Sequence, residues 1–550
     1  MHVHPSTSES TPQTTSSESA VAREELRSEV QEYLHSSEQR RRLFPRALLV
    51  GVFSGLVAVA FRAALAAADA ARNALLHIAH GFPGFGWAFP ILFGALGAGL
   101  SVAMVRRFAP EASGSGIPHL EAVLRRFRVL DGKRVLPVKF FGGVLAIGSG
   151  LALGREGPTV QMGASVADLL SGLLKSPPRE RRTLLAAGAG AGLAAAFNAP
   201  LAGLVFVLEE VQRDFRPIVF GTAFLAAAAA DVVARFATGQ LPVFRVPSYA
   251  VPDLIALPAF ALLGAIAGGF GVLFNQCLLK TLDGFARVPT GKRWLAAAVV
   301  GAGVGLIGWF SPQAQGGGHT LAETVMAGGI GLSAIPLWFL LRFVMTMGSY
   351  GCGAPGGIFA PLLVLGALIG LGVGEIAHQL VPHLIHRPEI FAVVGMAAYF
   401  TAVVRAPLTG IVLIIEMTGN YAQMLPLIVA CFCAYAVAEG LNDRPIYEAL
   451  LERDLASGGA PGKSEHDKAI VLELTVQPSA PFDGKAVRDL GLPAGCILVS
   501  GRDEDGEWVP GGETRLKGED QLTAVISPDA APTAMALLRE GCEPSPARTE

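Results

Sequence analysis

Charge is scarce in this chain. Only 16% of its 550 residues are Asp, Glu, Lys or Arg, against about a quarter in soluble domains, while 51% are apolar and mean hydropathy is +0.48. That balance excludes a soluble fold with a charged shell and predicts a membrane protein. Cysteine is also scarce. The six present (Cys277, Cys352, Cys431, Cys433, Cys496, Cys542) include no CxxC pair and have no histidines at zinc spacing. A metal site and a disulfide framework are therefore not expected, and the six are read as buried small apolar residues. A net charge of −2, with no basic patch carrying interleaved aromatics, argues against a nucleic-acid partner.

Residues 1–42 are rich in Ser, Thr and Glu and hold no apolar core, so they are read as a disordered tail, neither signal peptide nor span. Arg40, Arg41, Arg42 and Arg46 precede the first apolar run, which places the amino terminus in the cytoplasm. Apolar runs then recur, at 47–70, 91–105, 255–275, 295–310, 361–377 and 408–416. Several reach the ~20 residues of a bilayer crossing; others are short and broken by Gly or Pro.

The chain also repeats itself. "NAPLAGLVFVLEE" at 198–210 aligns with "RAPLTGIVLIIEM" at 405–417, pairing Pro200 with Pro407 and Glu209 with Glu416. Upstream, "GREGPTVQMGA" at 154–164 aligns with "GIFAPLLVLGA" at 357–367, and Glu156 falls opposite Phe359. Duplicated halves with hydrophobic segments broken at matching positions point to a transporter whose site lies where the repeats meet.

Three broken segments share one chemistry: "GSGIP" at 114–118, "GREGP" at 154–158 and "GGIFAP" at 356–361. In each, glycines precede a proline that opens an apolar run, the pattern of a helix start with proline in its first turn. Such a start leaves backbone N–H groups unpaired and carries about half a positive charge. Bare donors in hydrocarbon are costly, so several helix starts in one bundle predict a shared ligand, and an anion fits their polarity.

These strings, in this order, with "RPIY" at 444–447 after the last apolar run, resemble the CLC family of chloride channels and chloride/proton antiporters. The resemblance covers roughly residues 43–455. It implies an all-α polytopic fold of two inverted repeats with broken helices, about 43–240 and 255–441, and a homodimer with one anion pathway per subunit. The duplication agrees with that fold, although sequence alone does not show the inversion. The resemblance further implies that Ser115 and Tyr447 hold the central anion through their hydroxyls and that the N–H groups of Ile358 and Phe359 complete the site. Gly114, Gly116, Ile117, Pro118, Gly157 and Gly357 support these turns. Hydroxyls and amides suit a halide because they donate without adding a full charge that would trap it.

Two charges stand out against this background. An intramembrane carboxylate costs about 3 kcal/mol or more, so Glu156 needs a compensating partner. At a helix start it is itself an anion in an anion site. It can block the pathway, then swing out when chloride competes or a proton neutralises it, which makes it gate and outer proton site, as the resemblance also implies. Arg155 raises the local positive potential or pairs with a carbonyl or acid, with no transport step assigned. By resemblance Glu210 is the inner proton site, an acid that favours coupled exchange over a passive channel. Glu209, matched by Glu416, is read as structural. Lys139 either adds positive potential or snorkels, and His119 is expected to act on packing or pH sensitivity.

Beyond a polar linker at 456–467, alternating apolar stretches at 469–476, 496–501 and 521–527, with one helix near 484–490, predict a small α+β domain. Residues 468–530 resemble the TrkA carboxy-terminal domain, which implies a cytoplasmic module that either regulates through a small-molecule ligand or serves a mainly structural, dimer-stabilising role; 531–550 is read as a tail. The sequence thus predicts a multi-pass antiporter of a bacterial inner membrane, with both termini cytoplasmic, no enzyme activity, no cofactor, no metal, and chloride and protons as cargo. A passive chloride channel of the same fold, an intramembrane serine hydrolase built on Ser115, and a non-transporting sensor are the other readings.

Overall fold

The computed structural model describes residues 15–82, 84–244, 253–457, 470–503, 506–527 and 530–542. They form two units, divided between Gly458 and Gly459, each with its own core.

The first unit contains helices that recur in the same order. The first series is α1 (Thr15–His80), α2 (Ala88–Phe108), α3 (Ile117–Leu124), α4 (Gly132–Gly148), α5 (Glu156–Leu173), α6 (Pro178–Phe197), α7 (Pro200–Phe206) and α8 (Pro217–Thr238). The second is α9 (Leu257–Ala286), α10 (Arg293–Phe310), α11 (His319–Met326), α12 (Ile335–Gly351), α13 (Phe359–Leu380), α14 (Glu389–Val404), α15 (Pro407–Thr418) and α16 (Met424–Gly440). A last helix, α17 (Ile446–Ser457), follows both. Neighbours recur too: α1 packs on α8 as α9 packs on α16, and α5 packs on α6 as α13 packs on α14. The contact faces of α6 are largely Ala and Gly, which lets backbones approach closely where no hydrophobic effect drives helices together.

The two series run in opposite directions. Glu209, just beyond α7, accepts the N–H groups of Leu408 and Thr409 at the start of α15, at 3.0 and 2.7 Å. Glu416, near the end of α15, accepts those of Leu201 and Ala202 at the start of α7, at 3.1 and 2.8 Å. Each carboxylate caps the other helix, which requires the mates to be antiparallel. The expected structural pairing of these acids is what the hydrogen bonds show.

Among the described residues eight helices are long and apolar enough to cross a membrane, so the protein is a multi-pass membrane protein. The run at 408–416 is not one of them: it lies in α15, which has 12 residues. The amino-terminal boundary also differs from the expected one. Helix α1 begins at Thr15 rather than near residue 43, because its Glu- and Arg-rich first part has high helix propensity and supports i,i+4 pairs such as Glu38–Arg42. Residues 1–14 of the expected tail, and 458–469, which hold most of the expected linker, lie outside the described residues.

The second unit is a four-stranded antiparallel sheet with strand order β1 (Ile470–Thr475), β4 (Gln521–Ile526), β2 (Cys496–Asp503), β3 (Gly506–Trp508). The expected helix near 484–490 is only a single 3-10 turn at Val487–Leu490. A real helix, α18 (Ala531–Cys542), occupies much of what was read as tail. Its apolar stripe (Ala531, Ala534, Leu538, Cys542) closes the core over the sheet, a burial that composition alone did not reveal. Among the described residues no cysteine is in a disulfide; Cys352, Cys431, Cys496 and Cys542 are buried as expected, but Cys277 and Cys433 are half-buried.

Candidate functional site

The three glycine-led turns meet. Gly154 and Gly357, mates in the two repeats, exchange backbone hydrogen bonds of 2.7 and 2.8 Å, and the Gly356 N–H donates to the Gly114 carbonyl at 3.0 Å. These bonds join the starts of α3, α5 and α13. Close approach is possible because two positions lack side chains. A Cβ on Gly157 would lie 2.8 Å from the Cβ of Ser115, and one on Gly116, which takes φ 83°, would strike Gln161. Pro118, Pro158 and Pro361 all fall in first turns, as the sequence predicts.

At α13 the first intrahelical donor is Leu362, which reaches the Ile358 carbonyl at 2.9 Å. The ladder therefore does not use the N–H groups of Ile358 and Phe359, and they are available to an acceptor outside the helix. Phe359 itself is packed against Phe197 and Phe400. Ser115 is buried; its Oγ accepts the Ile117 N–H at 3.3 Å, and the Tyr350 hydroxyl hydrogen-bonds to Ser115. Tyr447 lies on α17, which packs against α3. It is fully buried, and its hydroxyl has no hydrogen-bond partner among the described residues, although it lies within electrostatic reach of Tyr350, Glu156 and Glu210.

Glu156 is the first residue of α5 and is 3% exposed. Its carboxylate does not stay over its own helix alone. It lies beside Gly154 together with the Ala360 N–H in the first turn of α13, and its Oε2 has no hydrogen-bond partner among the described residues. A carboxylate thus occupies the positive end of α13, the position where the helix-start argument places an anion. Arg155 turns elsewhere and donates to the Ala196 carbonyl at 3.2 Å, the carbonyl option of the two foreseen.

Lys139 does not snorkel. It is fully buried, and its Nζ donates to the carbonyls of Ala112 and Gly114 at 2.9 and 2.7 Å, just ahead of α3. Its mate Arg342 does the same ahead of α11, donating through one nitrogen to Ala314 and Gly316 at 2.6 and 2.9 Å. Both cations hold the backbone that leads into a short helix. Glu210 sits in a π-helical segment, Val207–Val211, and is 2% exposed. A cavity of about 450 Å³ reaches it, lined also by Arg213, Arg405, Arg444 and Glu448. Glu121 on α3, a second buried acid, lies within electrostatic reach of Glu210.

A family described as voltage gated chloride channel matches residues 97–439. The chain belongs to this family. Among curated relatives of the voltage gated chloride channel family, the H(+)/Cl(-) exchange transporter ClcA of Vibrio cholerae serotype O1 is 44% identical over 414 residues, covering 74% of this chain and 88% of that protein. The crystal structure of a slow cyanobacterial Cl-/H+ antiporter superposes with TM-score 0.73 at 37% identity, covering 76% of this chain and 98% of that one. A CLC-type fluoride/proton antiporter shares the fold, with TM-score 0.60, 22% identity, and coverage of 72% and 95%. Residues 471–539 match the TrkA-C domain, which includes most of α18.

Four groups escaped the sequence reading: Tyr350, Arg342, the Ala360 N–H and Glu121. Arg342 carried a usable signal, since it follows Lys139 by the same 203 residues that separate Gly154 from Gly357. The change from Lys to Arg hid it. Tyr350 and Ala360 carried none, because their roles depend on which backbone lies opposite. A hydrolytic centre at Ser115 finds no support: the Nδ1 of His119, the nearest histidine in sequence, has no hydrogen-bond partner among the described residues.

Proposed function

We propose that the protein is a secondary active antiporter that exchanges chloride for protons. One observation carries this reading: the buried Glu156 carboxylate lies beside the Ala360 N–H at the start of α13, so an acid that can be neutralised sits where a halide would bind. In this reading Glu156 is gate and outer proton site, and Glu210 is the inner proton site. Ser115, Tyr447 and the N–H groups of Ile358 and Phe359 hold the central chloride. Lys139 and Arg342 fix the turns ahead of the short helices, and Gly114, Gly116, Ile117, Pro118, Gly157 and Gly357 permit the close approach. Support comes also from relatives named as exchangers of these two ions.

The protein works as a homodimer with one pathway per subunit, in a bacterial inner membrane, with both termini in the cytoplasm. The carboxy-terminal unit is a regulatory module for a small ligand. The test of antiport is chloride efflux from proteoliposomes with proton movement recorded together. Outward chloride flow should drive protons inward against their gradient; chloride flow without proton movement would make the protein a passive channel.

A further inference from the structure

Beside Glu210 lies a pair of charges that the cycle above does not use. Arg213 follows the π-helical turn with φ 52°, a left-handed conformation that is uncommon away from glycine. Backbone held in such a conformation persists where surrounding contacts impose it, often next to a functional group. The Arg213 guanidinium pairs with the Glu448 carboxylate. Glu448 is the residue after Tyr447 on α17. The same guanidinium stands 3.8 Å from the Glu210 carboxylate, too far for a hydrogen bond, and Glu210 Oε1 has no partner among the described residues.

That intermediate distance has a consequence. A guanidinium in full contact with Glu210 would hold it ionised and make proton uptake harder. The other charges facing Glu210 are Glu121 from α3 and Glu209 from its own turn, with Arg405 and Arg444 across the cavity. Arg213 is the cation among these whose guanidinium stands 3.8 Å from the Glu210 carboxylate, and its direct contact is with Glu448. Arg213 and Glu448 are both partly exposed, at 41% and 32%, so the pair can rearrange without a large desolvation cost.

We propose that Glu448 is a positioning residue for the inner proton site: it holds Arg213 off Glu210, so that Glu210 takes up protons from the inner cavity instead of staying locked in an ion pair. The inference rests on the reading of Glu210 given above. Without Glu448, Arg213 closes on Glu210. Shortening the separation from 3.8 Å to about 2.8 Å strengthens the attraction by an amount worth about one pH unit at the effective permittivity of such sites.

The experiment is the rate of proton-coupled chloride exchange in proteoliposomes as a function of inner-side pH. Glu448→Gln should move the half-maximal pH down by about one unit. Arg213→Gln should move it up, and Glu448→Asp should restore the wild-type profile. A role confined to anchoring α17 would move both Gln variants in the same direction or leave the profile in place, and either result overturns the proposal. Glu210→Gln separates the two levels: if it keeps proton coupling, the inner-site reading fails. If it loses coupling while the Glu448 and Arg213 profiles stay put, only the present inference fails.

Discussion

Glu209 and Thr409 are joined across the two repeats: the carboxylate accepts both the Thr409 N–H and its hydroxyl, each at 2.7 Å, at the start of α15. Glu416 returns the arrangement at α7 with two backbone bonds only. Charge-assisted caps of this kind are stronger than neutral ones. Glu209→Ala should therefore cost about 1–3 kcal/mol, and Glu416→Ala somewhat less, read as thermal denaturation in detergent. Equal losses would mean that the threonine hydroxyl contributes nothing.

Glu156→Gln removes the anion that competes for the start of α13. Protonation does the same in the wild type, so wild-type chloride flux should rise as pH falls, once the carboxylate is neutralised and leaves. The variant should give flux that is high, independent of pH and free of proton movement. Stopped-flow or electrode recordings of chloride efflux across a pH series check this, and a retained pH dependence would remove Glu156 as the gate.

Glu210→Gln should keep anion movement and lose proton pumping, because the residue lies beside the cavity at the π-helical turn and away from the glycine turns. Proton uptake that continues unchanged in this variant would contradict its assignment.

Gly157→Ala places a Cβ 2.8 Å from that of Ser115, so one of the two helix starts has to move. Overpacking of this size costs about 1–3 kcal/mol, and each 1.4 kcal/mol taken from halide binding is about tenfold. Chloride affinity, measured by calorimetry on purified protein, should fall about tenfold or more. An unaltered affinity would place the anion site elsewhere.

Lys139→Met leaves the Ala112 carbonyl without its donor and takes one of two donors from the Gly114 carbonyl, which keeps the Gly356 N–H, and should destabilise the protein by about 1–3 kcal/mol. Lys139→Arg should be tolerated, since Arg342 performs the same task in the other repeat. Thermal denaturation and chloride flux measured on both variants test the comparison; a collapse of the Arg variant would show that the two sites are not equivalent.

Much of the site was legible because the signals are local. A glycine-led proline turn specifies a helix start from a few consecutive residues, and Ser115, Glu156, Ile358 and Phe359 all sit on such turns. Duplication was legible for a similar reason, since matched prolines and glutamates need only alignment. The amino-terminal boundary and α18 were misread because composition does not report helix formation when charge and apolar residues share a segment. Tyr350 and Ala360 were invisible because hydrogen bonds between distant segments leave no periodicity behind.

The sequence by itself determined the membrane setting, the repeat, and which residues can begin a helix or carry a charge within it, because hydropathy and backbone stereochemistry act over a few residues. Tertiary structure alone decided that the repeats are inverted, that Glu209 and Glu416 serve each other's helices, and that Glu156 reaches the start of a helix other than its own. Those outcomes depend on how buried donors in different segments find acceptors. In a bilayer that pairing is compulsory, since no water is present to stand in.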